Sequence, residues 1–331
     1  IPIKPDIYLL IFDEYAGNIS LKNDFDYDNT DFLKKLQSIG FHVPQISYSN
    51  YPNTDLSLPS TFNMGYLDFL TEELGKDSRD RRLVQELRDN NLMMKVLKLH
   101  GYKITSFYGG LGAVGNTNLV SEKLCSFGTI NTDLRKNLVL TYLPISYFNT
   151  VLLELHQKEK LECMFSILPE IKGSEETPVF VLGQFRLPHE PFIYDSEGNL
   201  IKTEKHFTDK EAYLEQLIYS SKKILELVDK ILENTTRDPV IIVMSDHGYR
   251  AEIDWKNPSN EHYVAGFNNL AAYHMPNQMD NLPETISSVN IFRIIFNSYL
   301  DTDFEMLEDR QIWHTPNRPF DFTDSTDKLP R

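Results

Sequence analysis

The chain is poor in cysteine, with only Cys125 and Cys163 among 331 residues. Their separation matches no metal-binding or redox spacing, which excludes a zinc ribbon and a thioredoxin-like dithiol. One disulfide and two buried thiols are equally open readings of the pair, so the cysteines do not decide the redox compartment. Long apolar runs are missing as well: none approaches the ~20 residues needed to cross a bilayer. Basic residues are outnumbered, 33 Lys and Arg against 48 Asp and Glu, for a formal net charge of −15. Nucleic acid is thereby excluded as the main partner, because a phosphate backbone calls for a Lys/Arg surface. A small anionic substrate is not excluded, since a bound dication can reverse the potential of one pocket. There is no internal repeat and no low-complexity block. No signal peptide is evident either: the chain starts at Ile1 without a Met and enters a strand almost at once. Such a start is expected of an excised or processed domain, with a membrane anchor among the segments that could precede it.

With 41% hydrophobic and 24% charged residues, the composition is that of a soluble globular protein. The length suits one large α/β domain or two smaller ones. Residues 6–13, with the run Ile7-Tyr8-Leu9-Leu10-Ile11-Phe12, read as a buried strand of a sheet covered on both faces. Phe32, Leu36 and Ile39 mark a helix that stops at Gly40. One helix is expected over about 80–99, then a strand from Tyr102 to Tyr108 that runs into Gly109-Gly110-Leu111-Gly112. Residues 132–168 look helical and unusually apolar. The stretch 138–153 is expected in the core, with a lipid-facing surface as the alternative. Thr177–Phe185 reads as another buried strand. A long helix is expected to start at Thr208, where Thr208 and Glu211 have the spacing of a capping box. Its apolar stripe from Leu214 to Leu232 keeps a period close to 3.6 residues. Val240–Ser245 is a strand, Leu270–Tyr273 a further one, and Ile286–Tyr299 a closing helix. The last ~30 residues, rich in Asp, Pro and Thr, read as a surface tail. The expected organisation is a catalytic domain over 1–300 and a C-terminal surface tail over 301–331. Alternating strands and helices favour one α/β domain with a mainly parallel sheet.

In such sheets ligands gather beyond the carboxyl ends of the strands, where Asp13 and Asp246 both sit. Asp13-Glu14 follows the first strand; a carboxylate there can ligate a metal or simply cap the next turn. Asp246-His247-Gly248 puts a hard oxygen and an imidazole side by side at a turn that glycine permits. It is the strongest single motif. Thr54 stands between the loop Asn50-Tyr51-Pro52-Asn53 and a segment that can be helical. An N-cap is the reading that segment favours alone, supported by Asp55 and Ser57. The same geometry suits a nucleophile, since a helix N-terminus stabilises an attached phosphoryl group. His189 is presented between Pro188 and Pro191. His262 is a weaker candidate, more simply a surface-loop residue. Together Asp13, Thr54, Asp246 and His247 compose a site for one divalent cation with an activated hydroxyl.

The order of these motifs resembles the alkaline phosphatase/sulfatase superfamily, from Pro5 to about Leu307. It is most similar to the membrane-anchored phosphotransferase branch of phosphoethanolamine transferases and lipoteichoic acid synthases. That resemblance implies an alkaline phosphatase-like three-layer α/β sandwich with a mainly parallel central sheet and helices on both faces. It implies Asp13, Thr54, Asp246 and His247 as ligands of one Zn2+ or Mn2+, with Mg2+ or Ca2+ as alternatives. Thr54-x-x-Ser57-x-Pro59 is similar to the segment that carries the nucleophile in phosphoethanolamine transferases, and Pro188-His189-Glu190-Pro191-Phe192 looks like the branch's substrate-side His. Glu14, His189, His262 and Arg250 are candidates for a second, weaker ion or for substrate. True sulfatases carry a Cys/Ser-x-Pro-x-Arg run that matures to formylglycine; Thr54-Asp55-Leu56-Ser57-Leu58 has neither the Pro nor the Arg, which steers the reading away from sulfate esters. The several cysteines common in phosphoethanolamine transferases are missing too.

The resemblance thus implies transfer of a phospholipid-derived head group to an envelope glycan or lipid, through a covalent Thr54 intermediate. The partners implied are a phospholipid or lipid-linked glycan, and a membrane reached through a segment outside this chain. The implied location is extracytoplasmic, as the soluble domain of a bacterial inner-membrane protein. A hydrolase of the same superfamily and a non-catalytic envelope-assembly domain are the alternatives.

Overall fold

The computed structural model describes residues 4–107, 117–126, 145–201 and 208–330. Its centre is a six-stranded sheet made of β1 (Ile7–Phe12), β2 (Lys103–Phe107), β3 (Glu122–Leu124), β4 (Val179–Phe185), β5 (Val240–Met244) and β6 (Ala271–His274), in the spatial order β3-β2-β4-β1-β5-β6. β3, β2, β4, β1 and β5 are mutually parallel, and only β6 runs antiparallel, against β5.

β1 is buried along its whole length, because alternate side chains enter two different cores. Tyr8, Leu10 and Phe12 join one layer with α2 (Thr30–Ser38), α7 (Ile145–Ile167) and α8 (Lys210–Asn234). Ile7, Leu9 and Ile11 join the other, with α3 (Thr54–Phe62), α6 (Leu92–Leu99) and α10 (Ile291–Tyr299). The result is a three-layer sandwich with a mainly parallel central sheet and helices on both faces, as the sequence pattern implies. The short helix α1 (Asn18–Phe25) adds Leu21 to the first layer, and three short helices lie outside both: α4 (Phe69–Leu74), α5 (Arg82–Asp89) and α9 (Asn260–Phe267).

Several boundaries differ from the sequence reading. The helix expected over 80–99 is two, α5 and α6. The chain is interrupted at Asn90-Asn91, where the Asn91 side chain accepts from Met94 N at 2.8 Å and starts a new helix. The long helix α8 is capped by Asp209, which accepts from Ala212 N at 3.0 Å, rather than by Thr208. The two cysteines are joined as one disulfide, tying the residue after β3 to α7. The Gly109–Gly112 run lies outside the described residues. So do the apolar side chains of 138–153, of which 145–153 are described only as helical backbone.

Residues 301–331 correct the surface-tail reading. They carry an antiparallel hairpin, β7 (Ile312–Thr315) with β8 (Arg318–Asp324). Ile312 and Phe320 are buried against Tyr51 and Leu56, while Trp313 packs on Trp255, Tyr263 and Phe267. A polar average concealed a few well-spaced large apolar residues, which suffice to dock a hairpin.

Candidate active site

β1 and β5 are neighbours, so the residues following them emerge at one point of the carboxyl edge. Asp13 N donates to Phe185 O at 2.9 Å, carrying the ladder one residue past β1. Ser245 knits the two loops: its hydroxyl accepts from Tyr15 N at 2.8 Å and donates to His247 O at 2.7 Å. Glu14 holds φ +63°, a left-handed conformation rare away from glycine. It is pinned on both sides, since its N–H donates to Asp246 Oδ1 at 3.2 Å and its carbonyl accepts from Tyr213 OH at 2.7 Å. Such over-determined strain gathers at functional sites. Gly248 is required for a different reason: a Cβ there would run into the Ala265 and Asn268 carbonyls.

Thr54 is the first residue of α3, but the helix is capped by Asn53, which accepts from Leu56 N at 3.3 Å. The N-cap expected of Thr54 is therefore one residue earlier, and the Thr54 hydroxyl is left to the site. Ser57, one turn on, donates to Asp246 O at 2.6 Å and clamps the helix start to the β5 loop. Thr54 Oγ1 lies 3.2 Å from His247 Nε2. His247 Nδ1 donates to Gly248 O at 2.8 Å, which leaves Nε2 as the lone-pair nitrogen facing Thr54. Complete burial lowers the His247 pKa and keeps the ring neutral, against the pull of Asp246.

Asp13, Asp246 and His247 bring their ligand atoms within 4.8 Å of one another. His247 Nε2 lies 3.7 Å from Asp13 Oδ1 and 3.6 Å from Asp246 Oδ2. Both of those oxygens are buried and accept no hydrogen bond. Burial, reinforced by Asp246, pushes the Asp13 pKa up to about 7. Two buried carboxylate oxygens without donors are costly unless a cation joins them. Two hard oxygens and a neutral imidazole are a donor set that Zn2+ or Mn2+ takes. The residues fit one divalent ion.

Beside this centre, Glu14, His189 and Glu190 form a second group of ligand atoms within 4.8 Å. His189 Nε2 is 3.6 Å from Glu14 Oε2, and Nδ1 is 3.0 Å from Glu190 Oε2. Burial alone would lower the His189 pKa, but Asp13, Glu14 and Glu190 outweigh it and raise it to about 10. The His189 loop is tied to the centre by His189 N donating to Asp13 O at 3.2 Å. From α8, Gln216 Nε2 donates to the Pro188 and His189 carbonyls, each at 3.0 Å. Arg250 N donates to Glu14 Oε1 at 3.0 Å.

The structure thus brings together Asp13, Glu14, Thr54, His189, Asp246, His247 and Arg250. His262 is not among them. Its ring accepts from Ser259 N at 3.1 Å in the capping box of α9 and joins neither cluster. Arg186 and Gln216 are site residues that sequence reasoning missed. The capping pattern Ser-x-x-His was a readable signal for His262; for Gln216, inside a long amphipathic helix, there was none.

The family model described as Sulfatase matches residues 6–282. No curated protein matches the chain in sequence. Among solved structures, the chain is similar to the C-terminal periplasmic domain of EcEptC from Escherichia coli in complex with Zn, with 12% identity, 99% of this chain and 94% of that one covered, and a TM-score of 0.59. It is also similar to the soluble domain of lipooligosaccharide phosphoethanolamine transferase A from Neisseria meningitidis (14% identity, 89% and 88% covered, TM-score 0.52). BT1596, a 2-O GAG sulfatase, matches with 12% identity, 94% and 78% covered, and a TM-score of 0.56.

Proposed function

The chain belongs to the sulfatase family, and on that premise we propose that it is a metal-dependent phosphotransferase acting through Thr54. The substrate end of the proposal is a phospholipid-derived head group of phosphoethanolamine or phosphoglycerol type, passed to an envelope glycan or lipid. One observation carries the reading: the Thr54 hydroxyl, released from capping, faces His247 Nε2 beside the two unpartnered carboxylate oxygens of Asp13 and Asp246.

When bound, a dication supplies charge neutralisation at the phosphoryl oxygens and a lowered hydroxyl pKa. The chain's own residues do the rest. Thr54 Oγ, its proton lost to water, forms a bond to phosphorus as the bond to the leaving oxygen breaks, giving a phosphothreonine that carries the head group. The amides at the start of α3 stabilise the new anion. His189, held protonated by its carboxylate neighbours, gives a proton to the leaving oxygen. An acceptor hydroxyl, losing its proton to His189, then attacks the phosphothreonine, and the bond to Thr54 Oγ breaks to return the alkoxide, which takes a proton from water.

The sulfatase neighbour favours a second reading, a hydrolase in which water is the acceptor. An extracytoplasmic location, as part of a bacterial inner-membrane protein, is supported by the periplasmic domain among the neighbours and by the Cys125–Cys163 disulfide. No helix among the described residues is long and apolar enough to cross a membrane; this reading assigns the membrane contact to a segment outside this chain.

Thr54→Ala is expected to abolish turnover while the domain still folds and binds metal. Mass spectrometry of the wild type after exposure to phospholipids should find the head-group phosphate on Thr54. Wild-type turnover by the Thr54→Ala protein sinks the nucleophile assignment.

A further inference from the structure

A cavity of about 310 Å3 opens over Thr54, and both Arg186 and Arg250 line it. Its carboxylates already have cationic partners. Glu190 is engaged by His189 and Arg186 and Asp55 by Arg81 at 3.3 Å, while Glu14, which does not line the cavity, is engaged by His189 and Arg250. Asp13 belongs to the metal set. The guanidinium groups are only partly used. Arg250 spends its backbone N–H and Nε on Glu14. Arg186 spends Nε on the Glu190 carbonyl at 2.7 Å and Nη2 on its carboxylate at 3.5 Å. Among the described residues, Nη1 of Arg186 and both terminal nitrogens of Arg250 carry no hydrogen bond. Their side chains are 27% and 30% exposed, so they are reachable from the cavity yet partly shielded from water. The cavity therefore offers spare donors with positive charge and no spare carboxylate.

We infer that Arg186 and Arg250 form an anion subsite beside Thr54, which selects a phosphoester carrying a second oxyanion rather than an ammonium group. This rests on the Thr54 transfer reading but revises its substrate, since neither a phosphoethanolamine nor a phosphoglycerol head group carries a second oxyanion. A planar guanidinium matches a carboxylate or phosphate with parallel N–H···O bonds. An ammonium brought to the same place would meet two like charges and find every carboxylate engaged. A head group ending in a neutral hydroxyl would fall between the two.

Three small phosphate monoesters isolate the far group: phosphoglycolate ends in a carboxylate, glycerol 1-phosphate in hydroxyls and O-phosphoethanolamine in an ammonium. Calorimetric titration of the zinc-loaded protein is expected to rank them in that order, with phosphoglycolate at least tenfold tighter than O-phosphoethanolamine. In Arg186→Met and in Arg250→Met the preference for phosphoglycolate over O-phosphoethanolamine should shrink to within threefold. O-phosphoethanolamine binding as tightly as phosphoglycolate overturns the inference, as does a preference that survives in both variants. The wild-type order decides alone should a variant fold poorly. Aryl phosphodiester turnover, compared between wild type and Thr54→Ala, tests the Thr54 chemistry of the proposed function separately. Thr54-dependent turnover without the ranking removes the subsite only, and the ranking without turnover removes the Thr54 chemistry only.

Discussion

At the residue scale the site is governed by what burial does to Asp13 and His247. The His247 ring is neutral because charging it inside the sheet edge is costly, so Nε2 needs no deprotonation before it binds a metal. Asp13 is the opposite case. Burial and the neighbouring Asp246 raise its pKa to about 7, so below that pH the metal-free site holds a proton that an incoming ion must displace. The sign follows directly: the raised value favours the protonated acid in the folded state, and a cation favours the carboxylate. Zinc affinity is expected to be nearly flat above pH 7.5 and to fall by up to about tenfold per unit below pH 6.5. Close to one proton per zinc should be released at pH 6. Calorimetry in two buffers of different ionisation heat measures both, and a pH-independent affinity between 5.5 and 8 contradicts the assignment of Asp13.

These residues were also the most legible ones. Asp13 and Asp246 end the two strongest apolar runs of the chain, and a run that ends in an acid at a sheet's carboxyl edge is a positional signal as well as a chemical one. Arg186 and Gln216 had no such mark. An arginine after a strand and a glutamine in a helix acquire their roles from the way α8 packs over the His189 loop, which is tertiary information. His262 failed for the converse reason: a local capping bond uses the ring before any distant partner can.

At the element scale, α3 and the C-terminal hairpin are the supports of the site. The α3 start was legible as a junction, but which of Asn53 and Thr54 would cap could not be read from the sequence, since both residue types cap well. Asn53→Ala is expected to cost about 1 kcal/mol of stability, measured by urea unfolding. Activity should fall further than that figure accounts for if the Thr54 hydroxyl turns back to cap the helix. An unchanged kcat in a folded Asn53→Ala protein would show that the cap does not release the nucleophile. The hairpin was missed because its window is dominated by Asp, Pro and Thr. Trp313 is 5% exposed and stacks on Trp255 at 5.0 Å between ring centres, in the segment that follows Asp246-His247. Trp313→Ala should cost about 3–5 kcal/mol, as expected for truncating a buried Trp. A loss under 1 kcal/mol in thermal or chemical unfolding would return residues 301–331 to the status of a tail.

At the scale of the whole molecule, the disulfide and the proposed metal set sit at different places on the sheet and should act independently. The proposed metal set, Asp13, Asp246 and His247, draws on residues after β1 and after β5, with Thr54 at the start of α3 beside them, all at the centre of the sheet. The disulfide lies at the far edge, where Cys125 follows β3 and is joined to Cys163 on α7, 38 residues apart in sequence. Closing a loop of that length removes denatured-state entropy worth about 4 kcal/mol in the chain-entropy account. β2, β4 and β1 lie between β3 and the β5 loop and are paired along their lengths; α7 itself meets the His189 loop, where Gln157 Nε2 donates to Arg186 O at 2.9 Å, and not the Asp13, Asp246 and His247 cluster. Zinc bound to the proposed set would, in contrast, stabilise by mass action on the folded state, by about 2.7 kcal/mol at a hundredfold excess over Kd. Cys163→Ser is therefore expected to lower the unfolding free energy by about 2–4 kcal/mol while leaving zinc affinity within threefold of wild type. Asp246→Asn should do the reverse and abolish the zinc-dependent rise in Tm with the disulfide intact. If the cysteine variant loses zinc affinity in parallel with stability, the edge strand and the centre are mechanically coupled, and the metal centre depends on the far side of the sheet rather than on β1, α3 and β5 alone.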